Sequence, residues 1–155
     1  MVPTTESAEI RFERYIEEIA AIVDHADRRK PLEAYLTGLL LPGERKSVEP
    51  MAALIDPRHV GARHQSMHHF VANADWDDAA VLRVARTCVL DAMERHGAAA
   101  GWIIDDTGIP KKGRHSVGVT RQYCGVLGKQ DNCQVAVSLS IANEAVSVPA
   151  AYRLY

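Results

Sequence analysis

An α+β fold is predicted by three features of the sequence. Apolar residues recur at helical spacing almost without a break to Gly97, Pro and Gly punctuate those runs, and beyond Gly97 apolar and polar residues alternate with period two. The expected organisation is a helical region over about residues 5–97 followed by three strands within about residues 99–155.

Residues 8–28 place Ile10, Tyr15, Ile16, Ile19, Ala20 and Val23 at helical spacing with acids and arginines opposite. They follow a Thr4-Thr5-Glu6-Ser7 start that offers capping hydroxyls. Pro31 then opens a second helical run, LEAYLTGLLL, which Pro42-Gly43 ends. A polar turn leads into a short helix between Pro50 and Pro57. The run 59–72 offers Val60, Met67, Phe70 and Val71 as a core face. Asp75-Trp76-Asp77-Asp78 punctuates the chain before residues 79–96, whose Val81, Leu82, Val84, Ala85, Cys88, Val89, Ala92 and Met93 form a broad apolar face. Gly97 is a natural stop.

After it, WIID is a short β-tolerant run, and residues 107–131, rich in Gly, Lys and Arg, read as a loop. Cys133, Val135, Val137, Leu139 and Ile141 then alternate with Gln134, Ala136, Ser138 and Ser140. A tight connection at 143–145 leads into a last strand, VSVPAAYRLY.

With 155 residues, 47% apolar and 25% charged, the chain has the balance of an ordinary globular protein and can bury a core. A formal net charge of −2 provides no attractive field for phosphate, so any nucleic-acid contact must come from a local basic patch. No apolar run reaches membrane-spanning length and no export signal opens the chain, from which a cytoplasmic address without membrane contact is expected. Cys88, Cys124 and Cys133 lack a CxxC spacing and read as free thiols.

The stretch GWIIDDTGIPKKG, residues 101–113, sets two carboxylates at the end of an apolar run, where an unpaired buried charge costs several kcal/mol. On a strand Trp102, Ile104 and Asp106 share one face, while Ile103 and Asp105 share the other, so the two acids cannot ligate one ion. One acid is expected to be functional and the other structural, and Thr107-Gly108 is expected to turn the chain sharply out of the sheet. A plain turn signal is the bland alternative. Lys111, Lys112, Arg114, His115, Arg121 and Lys129 follow within one basic segment, the surroundings that a phosphodiester near a metal-bound carboxylate requires.

The sequence from Gly101 to Tyr155 resembles the opening of the catalytic domain of bacterial insertion-sequence transposases of the DDE superfamily. The segments GERKSVEPMAALI and RHQSMHHFVANADWDD resemble the helical N-terminal region of the same group, so the likeness covers residues 10–155. It implies the first three strands of an incomplete RNase H-like fold. It also implies DNA strand cleavage and transfer at insertion-sequence ends, with DNA as partner and Mg²⁺ or Mn²⁺ as cofactor, held by two Asp and one Glu. By the family pattern the first carboxylate precedes a Thr, which makes Asp106 the catalytic and metal-ligating residue and Asp105 the fallback, projecting from the middle strand of the sheet. Lys111, Lys112, Arg114 and Arg121 are expected DNA contacts from their charge.

The resemblance also implies that the second Asp and the Glu follow a stretch like Arg153-Leu154-Tyr155 and so lie outside these 155 residues. One carboxylate cannot hold two ions about 4 Å apart. The expectation is a transposase fragment, inactive alone, that binds no metal stably; the alternative is a non-enzymatic remnant that binds DNA or dimerises and modulates an intact transposase.

Other motifs carry less. His64 and His68 share a helical face at zinc-like spacing but offer too few ligands. The glycines after residue 112 match no nucleotide-binding pattern. Trp76 and Trp102 read as core or junction residues. The basic runs 28–30 and 45–46 read as solvated helix ends.

Overall fold

The structure, a computed structural model, describes residues 6–155. Thr4 and Thr5 of the predicted cap lie outside the described residues; Ser7 supplies the cap, its hydroxyl accepting from the Ile10 N–H at 3.3 Å. Helix α1 (Ala8–Val23) buries Ile16, Ile19 and Val23. It ends where Asp24 turns left-handed, with φ 49°. His25 then caps α2 (Ala26–Leu40), its Nδ1 accepting from the Asp27 N–H. The one helix expected over 8–28 is therefore two, and Pro31 lies inside α2 rather than opening it. The arginines between the predicted runs are engaged locally. Arg29 pairs with Glu13, Glu17 and Glu33, and Arg28 donates to the carbonyls of Val23 and Asp75.

Helices α3 (Val48–Ile55) and α4 (Val60–Ala72) complete the expected helical pattern, with Pro50 tolerated in the first turn of α3. Their apolar positions meet those of α2 in one cluster. Ala34, Met51, Ala52 and Met67 are buried, ringed by Tyr35, Val48, Ile55 and Val60. Trp76 stacks on Phe70 with ring centroids 6.1 Å apart and donates its indole N–H to the Phe70 carbonyl, the packing role expected of it.

Two compact units meet between Val81 and Leu82, inside α5 (Asp78–Glu94). In the second unit Leu90 and Met93 of that helix pack on Ile141, Val148 and Ala150. Asn143 fastens the helix end to the sheet. Its side-chain amide donates to the Met93 and Gly97 carbonyls, and its oxygen accepts from the Ala145 and Val146 N–H groups.

The sheet is antiparallel and has four strands, one more than the sequence suggested: β1 (Gly101–Pro110), β2 (Thr120–Cys124), β3 (Lys129–Ala142) and β4 (Ser147–Leu154). The added strand comes from the segment read as loop, where Cys124 and Lys129 close a hairpin around Gly125 and Gly128. β3 is the centre. It carries β1 along one edge, and because a strand has only two edges, β4 pairs over Ala136–Ala142 on the other. Asp106 thus sits on an outer strand, not on the middle one as expected.

Nor does the chain leave the sheet at Thr107-Gly108, since β1 continues in register to Pro110 opposite Cys133. The reason lies on the hairpin. A Cβ at Gly108 would stand 3.0 Å from the Cys124 Sγ and 3.3 Å from the Cys124 Cα, so the missing side chain lets the end of β2 lie against β1. Helices followed by an antiparallel sheet form the predicted α+β class, consistent with part of an RNase H-like fold. No helix among the described residues is long and apolar enough to cross a membrane.

Candidate functional site

Cross-strand register fixes the surroundings of the two acids. Asp106 stands opposite Val137, which stands opposite Arg153; Asp105 stands opposite Ser138, which stands opposite Tyr152. Directly opposed residues project to the same face. One face therefore carries the row Asp106, Val137, Arg153, flanked by the row Ile104, Leu139, Ala151 and by Gly108 with Val135. The other face carries Asp105, Ser138 and Tyr152, with the Ser138 hydroxyl donating at 3.5 Å to the Asp105 carbonyl.

Both carboxylates are exposed, and so are Ile103 and Ile104 beside them. Trp102 is 70% exposed, which excludes the core alternative of its expected core or junction role. The desolvation problem posed by the sequence is thus absent: solvent compensates the acids.

The basic segment divides in two. Lys111, Lys112 and Arg114 belong to the connection between β1 and β2, which is tied to β3 at its start by the Lys111 N–H donating to the Asn132 carbonyl at 2.9 Å and further on by the Gln134 side-chain amide donating to the Val117 carbonyl. No acid pairs with any of the three among the described residues. Arg121 lies on β2 opposite Asn132, and the neighbouring Asp131 pairs with Lys129, whose Nζ is 3.2 Å from that carboxylate. The Asn132 N–H, and then the Lys129 ammonium, hold the Asp131 carboxyl below the usual range.

Asn132 is five residues along β3 from Val137, so the register does not bring Arg121 level with Asp106. The cation it does bring level is Arg153, which the sequence showed only as part of a family landmark. Nothing in a linear reading pairs residues 106 and 153. The pairing depends on β3 lying between their strands.

Among the described residues no group of three or more His, Cys, Asp or Glu side chains could hold a metal ion. The His64 and His68 rings lie 5.8 Å apart without a third ligand. Asp105 and Asp106 offer one hard oxygen donor to each face. That suits one ligand of a magnesium ion, whose other positions water and phosphate can fill, and falls short of a two-ion cage.

The family described as DDE superfamily endonuclease matches residues 18–155, and the chain belongs to it. More particularly, it is similar to a protein of Microchaete diplosiphon described as a probable transposase for insertion sequence element IS701, with 34% identity over 91 residues. That match covers 59% of this chain and 23% of the relative, so the chain spans a minor part of its relative's length. No solved structure matches the chain.

Proposed function

We propose that the chain is part of an insertion-sequence transposase, with a helical region over residues 5–97 and the start of the DDE catalytic domain over residues 99–155. In this reading Asp106 is the first metal-ligating carboxylate and Lys111, Lys112, Arg114 and Arg121 contact the DNA backbone. The observation that carries it is the family match over residues 18–155, which includes the whole acidic strand and basic connection. The choice of Asp106 over Asp105 draws on the register, because only Asp106 shares its row with a cation.

Divalent ions, when bound, would polarise a phosphodiester oxygen and activate water. The residues present do the rest of what this chain can do. Asp106 offers a ligand on a rigid strand, and the unpaired lysines hold the backbone of DNA. Charge favours the sheet unit for that role. Residues 82–155 hold nine Lys and Arg against six Asp and Glu, whereas residues 1–81 hold nine against fourteen.

With one acid per face, the purified chain is expected to bind DNA without cutting it. Supercoiled plasmid incubated with the chain and Mg²⁺ or Mn²⁺ should remain unnicked. Reproducible nicking that disappears in Asp106→Ala would refute the inactive-fragment reading. In a salt titration, removing Lys111 and Lys112 together should lower the log-log slope of DNA affinity by about 1.8, at about 0.9 per phosphate contact. An unchanged slope would place the DNA elsewhere.

A second reading, a non-enzymatic remnant that binds DNA or pairs with another copy, draws on a different observation. The outer edge of β1 pairs with nothing among the described residues, and Trp102, Ile103 and Ile104 are exposed along it. Concentration-dependent mass in solution, lost on Ile104→Lys, would favour it.

A further inference from the structure

We propose that Arg153 holds a DNA phosphate on the face that carries Asp106. The inference rests on the reading of Asp106 given above and adds a cationic member to that site.

The row Asp106, Val137, Arg153 spans three strands. At about 5 Å per strand, the outer Cα atoms are about 10 Å apart. Only the half-buried Val137 stands between them, and both end residues are exposed. No ion pair engages Arg153 among the described residues. On one side of the row Gly108 is buried beneath Cys124 of β2, and on the other the small Ala151 leaves the floor shallow, so the row is open on the Ala151 side. Leu90 and Met93 pack at Ile141, four residues along β3 from Val137 and about 13 Å away.

The chemistry of a phosphodiester matches this spacing. It presents two non-bridging oxygens that share one negative charge. One oxygen would remain free for a divalent ion, to which Asp106 would supply a single ligand, while the other accepts from the planar guanidinium fork of Arg153. The opposite face has no equivalent, because Asp105 is level with Ser138 and Tyr152, which are both neutral.

The test is an NMR titration of the full chain with thymidylyl-thymidine, a single phosphodiester, in the presence of Mg²⁺. The Arg153 Nε–H signal and the Val137 amide are expected to shift together. Arg153→Ala should weaken binding about tenfold, the size of a charged hydrogen bond. Arg153→Lys should fall between, keeping charge without the fork. The amide spectrum of each variant reports its fold, and Arg153→Gln serves if the alanine variant disturbs the sheet.

If Arg153 stays still while the 111–119 connection shifts, or if Arg153→Ala binds as tightly as the parent, the role of Arg153 is overturned and the DNA reading stands. If the phosphodiester moves no signal and duplex DNA also fails to bind, the reading of the site falls and this inference with it.

Discussion

Replacing Gly108 by valine is expected to lower the stability of the sheet by about 3 kcal/mol, the upper part of the range for forcing extra carbon into a packed seat. The added Cβ would stand 3.0 Å from the Cys124 Sγ and 3.3 Å from its Cα, and the backbone atom cannot rotate away as a side chain could. The cysteines give a direct readout. Cys124 and Cys133 are fully buried, and burial, followed by the neighbouring Cys124, pushes the Cys133 thiol up, so it stays protonated and unreactive at neutral pH. Both should resist a thiol reagent in the parent and react readily in Gly108→Val. Adding Cys124→Ala should recover part of the loss by removing the sulfur while leaving the backbone contact. Equal urea midpoints for parent and Gly108→Val would show that the seat does not hold the hairpin.

The helical unit should respond as strongly to Met67→Ala. Met67 has no exposed surface and lies in the cluster with Ala34, Met51 and Ala52, where the small alanines leave the methionines to fill the space. Truncation removes buried apolar surface and leaves a cavity, together about 2–5 kcal/mol, whereas Met67→Leu should cost less than about 1.5 kcal/mol. Denaturant unfolding followed by helical circular dichroism measures both. A loss under about 1 kcal/mol for Met67→Ala would mean that α2 and α3 close around the gap.

The helices were legible because their signals are local. Ser7, Gly97 and the apolar spacing of α4 and α5 act within a few residues of the structure they specify. Asp24 hid the break between α1 and α2, since a left-handed aspartate leaves no mark in the periodicity. The 107–131 segment misled for a similar reason. Its glycines and charges look like loop, yet Gly108 continues a strand because Cys124 comes to lie on it, and β2 forms because β3 supplies its partner.

The acids at 105 and 106, and the basic connection after them, were visible as motifs. Their setting was not, because the row that joins Asp106 to Arg153 exists only once three strands are in register.

That row also provides the most direct test of whether Asp106 faces a metal site. Trace paramagnetic Mn²⁺ added to the isotopically labelled chain should broaden the Val137 and Leu139 methyl signals and the Arg153 side chain more than Ser138 or the Tyr152 ring. The difference should vanish in Asp106→Asn and persist in Asp105→Asn. Broadening centred on Tyr152 and Ser138, or a pattern indifferent to Asp106→Asn, would contradict the assignment of Asp106 as the metal-binding acid.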